Sequence, residues 1–169
     1  MIEIKRISPE MALVFKEVRL RALKESPLAF GSTYAKERLL TDGEWRLRAA
    51  RWSGAENDAI LLAFDGESAC GIVGSYREPE RWERAQVISM WVDPEYRRAG
   101  LGKALIDAVV EWNRERGARE LVLMVTSVNA SAIAFYQRLG FAKTGVTGEY
   151  PNDAAIIEYE MMLTIDQDR

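Results

Sequence analysis

Apolar positions along the chain change their period several times, and each change marks a predicted element. Met11, Val14, Phe15, Val18 and Ala22 recur at helical spacing after Ser8-Pro9-Glu10. That start predicts a helix with Ser8 as N-cap and proline at the first helical position. Ser26-Pro27 ends it, because the residue before a proline is pushed out of the helical region. A short strand over 3–7 precedes this helix, and 28–32 reads as a loop whose apolar side chains must pack on something. A second helix is expected around 34–40. Thr41-Asp42-Gly43-Glu44 has capping-box spacing, from which the helical pattern could continue through Trp45 to Trp52. Strands over 59–65 and 70–76 flank Gly66-Glu67, a hairpin pattern. The segment 77–86 is highly charged and carries Pro79 and Trp82, which predicts an exposed connection.

The apolar run 87–92 is the next strand, followed by the turn Asp93-Pro94-Glu95-Tyr96 and then Arg97-Arg98-Ala99-Gly100-Leu101-Gly102-Lys103. Leu101, Ala104, Leu105, Ala108 and Trp112 return to helical spacing until Gly117. Leu121-Val122-Leu123-Met124-Val125 is apolar on both faces, as a central strand covered from both sides requires. Asn129 is placed to cap a helix whose stripe is Ala132, Phe135, Tyr136 and Leu139, closed by Gly140. The last strands, 141–146 and 155–165, are joined by a loop containing Tyr150-Pro151-Asn152-Asp153. The order β-α-α-β-β-β-α-β-α-β-β gives a mixed α/β domain with a parallel strand–helix–strand unit at its centre.

Composition narrows the chemistry. A length of 169 residues fits one domain over 1–169, and a net charge of −3 gives no global attraction to nucleic acid or anionic membrane. No apolar run approaches the roughly 20 residues that span a bilayer, and the N-terminus lacks a signal-peptide pattern, so a cytoplasmic location is expected. The absence of histidine excludes imidazole bases, Ser-His-Asp triads and His-ligated metals. Cys70, the only cysteine, sits in an apolar strand pattern and reads as a buried structural thiol; no metal site is expected.

Strand, turn, glycine-bearing basic loop and helix together form a site for a phosphorylated ligand at a helix N-terminus. A Walker loop would need glycine at 97 and Ser or Thr at 104, where the chain has Arg97 and Ala104. A Rossmann pattern built on Gly100 and Gly102 would put its third glycine at Leu105. The pattern that fits is Arg97-x-x-Gly100-x-Gly102.

Here the chain resembles the GNAT superfamily of acetyl-CoA-dependent N-acetyltransferases, whose pyrophosphate loop reads [Q/R]-x-x-G-x-[G/A]. The resemblance extends through Asn129 to Phe135-Tyr136-Gln137-Arg138-Leu139-Gly140-Phe141 and to the ending Ile157-Glu158-Tyr159-Glu160-Met161-Met162-Leu163. It implies a central mixed, mostly antiparallel sheet with one splayed parallel strand pair, flanked by helices. It also implies acetyl-CoA as co-substrate, held by the backbone of Met90, Trp91 and Val92 and by the loop Arg97, Arg98, Ala99, Gly100, Leu101, Gly102 and Lys103. Asn129 would contact the pantetheine arm, and Tyr136 would protonate the departing thiolate. Gly100 and Gly102 would let the backbone approach the phosphates with no side chain between. Tyr136 also lies on the apolar stripe of its helix, which suits a packed core tyrosine.

The acceptor implied is a primary amine of a small molecule or peptide, attacking the thioester directly in a ternary complex, since no cysteine–histidine pair exists for a covalent relay. Glu37, Glu83 and Glu158 are the carboxylates placed to act as base. The acceptor pocket maps onto Phe30, Tyr34, Glu37, Ser89 and Tyr150, where aromatic packing accounts equally well for the rings. The alternative is a non-catalytic sensor of acetyl-CoA or CoA with the same fold. The resemblance also allows a homodimer.

Overall fold

The computed structural model describes residues 1–166. Seven strands form one sheet: β1 (Ile2–Arg6), β2 (Ala59–Asp65), β3 (Ser68–Arg77), β4 (Arg84–Val92), β5 (Glu120–Thr126), β6 (Ala142–Tyr150) and β7 (Asp153–Thr164). The helices are α1 (Ala12–Glu25), α2 (Tyr34–Glu37), α3 (Asp42–Gly54), α4 (Leu101–Glu115) and α5 (Ala130–Arg138). The sheet order is β1-β2-β3-β4-β5-β7-β6, with β4 parallel to β5 and every other pair antiparallel.

Alternation along the strands feeds two cores. On β2, Leu61 and Ala63 face α4 together with Leu105, Ile106 and Val109. Ile60, Leu62 and Phe64 face α1 and α3, where Phe15 and Val18 pack around Trp45. Burial on both faces explains why β2 reads as an unbroken apolar run rather than an alternating one. The Thr41–Glu44 capping box forms in both directions, with Glu44 N–H donating to Thr41 Oγ1 at 3.1 Å and Thr41 N–H to Glu44 Oε2 at 2.8 Å.

Two expectations are corrected. The first helix begins as a 3-10 turn, Pro9–Met11, and Ser8 makes no side-chain cap. The charged segment 77–86 is not an exposed connection throughout: β3 extends to Arg77 and β4 begins at Arg84, and both arginines are buried. Arg77 donates through both terminal nitrogens to the carbonyls of Trp82 and Arg116 and stacks on the Trp82 ring, while its Nε finds no acceptor among the described residues.

Candidate active site

The parallel pair is short. β4 and β5 are in register at Arg84↔Glu120, Ala85↔Leu121 and Gln86↔Val122, and the pairing stops there. Both strands continue with their outer neighbours, β4 as far as Val92 against Gly71 and β5 as far as Thr126 against Glu158. The facing edges beyond Gln86 and Val122 therefore splay apart with backbone groups unpaired. A bulge sharpens the divergence: Ile72 pairs with Trp91 and Gly74 with Ile88, so Ser89 and Met90 together face Val73. Ser89 adopts φ 58° there, an uncommon conformation for a residue with a Cβ. The splay opens into a cleft of about 450 Å³, bounded by β4, β5, the first turns of α5 and the loop after α1.

Beside the splay, the loop leading to α4 is tied down up to residue 97 and free after it. Asp93 N–H donates to Cys70 O at 2.9 Å, Asp93 pairs with Arg21, and the Tyr96 hydroxyl donates to Asp65 Oδ2 at 2.7 Å. Arg97 donates through Nε to Val92 O at 2.9 Å and through Nη2 to Glu25 Oε2 at 2.9 Å. The Arg97 side chain thus braces the loop, and the Val92 carbonyl is already engaged. Arg98 then takes φ 66° and Gly100 φ 85°, and α4 starts without a side-chain cap. Ala104 N–H is the first to find a helical acceptor, Gly100 O, so the N–H groups of Leu101, Gly102 and Lys103 remain available. Arg98 is exposed with no ion pair among the described residues, whereas Lys103 is paired with Asp107 at 2.6 Å. Free amides plus one unpaired guanidinium at a helix N-terminus suit a pyrophosphate.

Gly102 has a packing reason for being bare. A Cβ there would lie 3.0 and 3.1 Å from the Phe135 ring, so the glycine lets α4 pack against α5. Leu101 points into the core and Ala99 is exposed, which leaves their backbone as the part facing a ligand. The Trp91 ring is buried, with Nε1 donating to Glu25 Oε2 at 2.9 Å, while Met90 lines the cleft.

Asn129 and Tyr136 both line the cleft from α5. Asn129 Oδ1 accepts from Ala132 N–H at 3.3 Å, so the residue caps the helix while standing at the cleft wall. Tyr136 packs edge-on against Phe135 and Phe141, and its hydroxyl has no hydrogen-bond partner among the described residues. Burial pushes its pKa well above the ordinary tyrosine range, which keeps the phenol protonated.

The three carboxylates separate cleanly. Glu83 is half exposed and pairs loosely with Arg81, away from the cleft. Glu37 is buried and chelated by Arg19 at 3.1 and 2.9 Å, with Arg48 at 3.2 Å. Burial pushes the Glu37 pKa up, but the bonds and charge of Arg19, Ser32 and Arg48 outweigh it and hold the carboxyl below its usual value. Such a group is a poor proton acceptor. Glu158 lines the cleft with neither ion pair nor hydrogen bond among the described residues, and burial raises its pKa.

Of the expected acceptor residues, Phe30 and Ser89 line the cleft, and Tyr34 and Tyr150 do not. Tyr34 lies in a groove on the outer side of α1, with Lys24 5.6 Å from its ring. Tyr150 is buried, its hydroxyl 2.8 Å from both Pro27 O and Phe30 O. Arg19 was not singled out from the sequence: chelating Glu37, it also stacks over Phe30 at 4.8 Å and donates to Ser89 Oγ at 2.7 Å inside the cleft. Its helical position beside Val18 carried no signal that a partner lay on α2. Among the described residues no group of three or more His, Cys, Asp or Glu is arranged to hold a metal, and no helix is long and apolar enough to cross a membrane.

Comparison with known proteins agrees with this layout. The sequence model of the acetyltransferase (GNAT) family matches residues 23–141. N-acetyltransferase 8 of Homo sapiens is 38% identical over 87 residues, which cover 50% of this chain and 38% of that protein. The [ribosomal protein bS18]-alanine N-acetyltransferase of Escherichia coli K12 is 38% identical over 68 residues, 40% of this chain and 46% of the relative. The chain thus spans less than half the length of these curated relatives. The crystal structure of a GNAT-family acetyltransferase from Streptococcus pneumoniae superposes with a TM-score of 0.81 at 25% identity, covering 98% of this chain and 100% of that one. The PaiA N-acetyltransferase of Thermoplasma acidophilum, solved in complex with coenzyme A, shares the fold at a TM-score of 0.77 and 18% identity, over 97% of this chain and 99% of its own.

Proposed function

The chain belongs to the acetyltransferase (GNAT) family, and from that premise we propose that residues 1–169 form one catalytic unit moving an acetyl group from acetyl-CoA to a primary amine. The observation that carries this reading is the convergence of Tyr136 and Glu158 on the cleft at the β4–β5 splay, beside the free amides of α4. Acetyl-CoA would supply the thioester carbon that the amine attacks. Leu101, Gly102 and Lys103 N–H groups with Arg98 would hold its pyrophosphate, unpaired backbone at Met90 and Trp91 would hold its arm, and Asn129 would stand beside that arm.

Glu158 would accept a proton from the acceptor ammonium and release it to solvent, leaving a free amine. As the C–N bond forms and the C–S bond breaks, Tyr136 would donate its phenolic proton to sulfur and recover one from the nitrogen. A phenol with a raised pKa gives up its proton readily only to a sulfur that is also shielded from water, which a filled cleft provides. Both substrates would be bound together, since Cys70 is buried with a pKa raised chiefly by burial and offers no acyl carrier. The test is thiol release from acetyl-CoA over a panel of amines, alongside calorimetric titration of the coenzyme. Turnover with stoichiometric N-acetylated product is expected. Coenzyme binding without turnover on any amine would favour a sensor instead.

A further inference from the structure

The inference here deepens the acceptor reading and rests on it. The ionisable groups lining the cleft are Arg19, Tyr76, Tyr136 and Glu158. Arg19 is chelated by Glu37, which also holds Arg48 from its more exposed side. Glu158 has no counter-charge among the described residues. Alternation along β7 puts Glu160 on the same face as Glu158, about 6.5–7 Å further along. Glu160 lies opposite Met124, itself part of the cleft lining.

Glu160 shares a single cation with two other carboxylates. Arg84, which is buried, contacts Glu160 at 3.0 Å, Glu78 at 2.9 Å and Glu120 at 3.8 Å, and the Thr144 hydroxyl donates to the other Glu160 oxygen at 2.9 Å. Three carboxylates on one guanidinium leave an excess of two negative charges next to Gln86, two residues along β4 and also in the cleft lining. The Tyr76 phenol senses this field from the β3 side: burial raises its pKa, and the charges of Glu78 and Asp58 raise it further.

One side of the cleft is closed. The Tyr150 hydroxyl meets Pro27 O and Phe30 O, and Asn152 Nδ2 donates to Phe30 O at 3.2 Å and Ser32 O at 3.1 Å. These bonds staple the β6–β7 hairpin tip to the loop after α1, and both Ser32 and Pro151 line the cleft. A polypeptide lying across the sheet would have to break the staple, whereas a slender molecule entering end-on would not.

We propose that the acceptor is an aliphatic di- or polyamine, with its reacting ammonium at Glu158 and its next cationic nitrogen against the Glu160 carboxylate of the Arg84 cluster. The proton taken by Glu158 comes from the reacting nitrogen, and the second nitrogen keeps its charge in the acetylated product. A carboxylate in place of that second nitrogen would meet the same excess negative charge and be repelled.

The test compares kcat/KM for 1,4-diaminobutane, butylamine, 4-aminobutanoate and a short peptide with lysine at its second position, with acetyl-CoA binding measured separately by calorimetry. The diamine is expected to exceed butylamine by about tenfold or more at low ionic strength, with 4-aminobutanoate slowest and the gaps narrowing in salt. Glu160→Gln is expected to shrink the diamine-to-butylamine ratio by about threefold or more. The salt series on the unaltered protein gives the same readout should that variant fold poorly. Equal rates for diamine and butylamine, or the peptide as best acceptor, overturn the proposal. Coenzyme binding with no acetylation of the panel overturns it too while leaving the coenzyme site standing; loss of coenzyme binding itself would remove both.

Discussion

Glu25 and Arg97 meet at 2.9 Å, and the same Glu25 oxygen accepts from Trp91 Nε1 at 2.9 Å and from the Ser26 hydroxyl. One carboxylate at the end of α1 therefore ties the splayed strand β4 to the loop that opens α4. Burial works against its charge, but the bonds from Arg97, Ser26 and Trp91 dominate and keep the carboxyl ionised below its ordinary pKa. This side chain touches no substrate; it positions the loop that would. Glu25→Ala is expected to raise KM for acetyl-CoA about tenfold while kcat at saturation changes by less than about twofold. Glu25→Gln, which keeps an acceptor oxygen, is expected to recover part of the loss. A fall in kcat with KM unchanged would count against a positioning role.

Tyr136→Phe separates chemistry from packing. Because the hydroxyl has no hydrogen-bond partner among the described residues, its removal leaves none of their buried groups unsatisfied, and thermal stability is expected to hold. Loss of a proton donor to sulfur is expected to lower kcat by about 10²–10⁴-fold with little effect on acetyl-CoA affinity. Unchanged kcat would make Tyr136 a core residue held between Phe135 and Phe141.

The parts of the fold that rest on near neighbours were legible from the sequence. The Thr41–Glu44 box, the hairpin around Gly66-Glu67 and the Asn129 cap each involve groups within a few residues of one another. Side chains recruited over long separations were not. Arg84 and Arg77 read as solvated charges because their partners, such as Glu160 and the Arg116 carbonyl, lie 76 and 39 residues away. Tyr150 read as a pocket wall for the same reason: its hydroxyl is consumed by carbonyls 123 and 120 residues upstream. The loop motif singled out Gly102 for a ligand's approach, but only the packed α5 helix reveals that its missing Cβ makes room for Phe135.

Glu158 carries a pH signature. Its pKa is raised in the folded protein by burial, so folding favours the protonated form. That contribution is fully present below the unfolded value, about 4.3, and is lost as pH rises through the raised folded value. Glu158→Gln is therefore expected to stabilise the protein at neutral pH, with the gain vanishing in acid, as thermal melts across pH would show. Activity runs the other way: kcat/KM should rise as Glu158 deprotonates, with an acid limb above the ordinary glutamate range, and that limb should disappear in the variant. An acid limb that survives Glu158→Gln would assign the base elsewhere.

Arg98 combines a free charge with an unfavourable backbone. At φ 66° a side chain costs about 1–2 kcal/mol relative to the right-handed region, a penalty that glycine avoids. Arg98→Gly is expected to leave thermal stability intact or slightly raised while weakening acetyl-CoA binding about three- to tenfold through loss of the charge. Gly102→Ala is the contrast. Its Cβ meets the Phe135 ring at 3.0 Å, so it is expected to cost about 1–3 kcal/mol by overpacking before any ligand is bound. Calorimetric titration and melting curves on the two variants distinguish a ligand contact from a packing contact.

Tyr150→Phe tests the staple. The hydroxyl is buried, shared between two carbonyls and itself accepts from Asn152 Nδ2 at 3.1 Å. Removing it leaves Pro27 O without that partner, with Phe30 O relying on Asn152, and stability is expected to fall by about 1–2 kcal/mol. The kinetic effect should be one-sided. The cleft lining includes Leu28 to Ser32 of the loop after α1 and no residue of the first turn of α4, so KM for the amine should rise several-fold while KM for acetyl-CoA holds. Loosening the staple should also admit bulkier amines, narrowing the preference for slender ones. Equal losses on both substrates would mean that the hairpin tip supports the whole sheet edge rather than the acceptor wall.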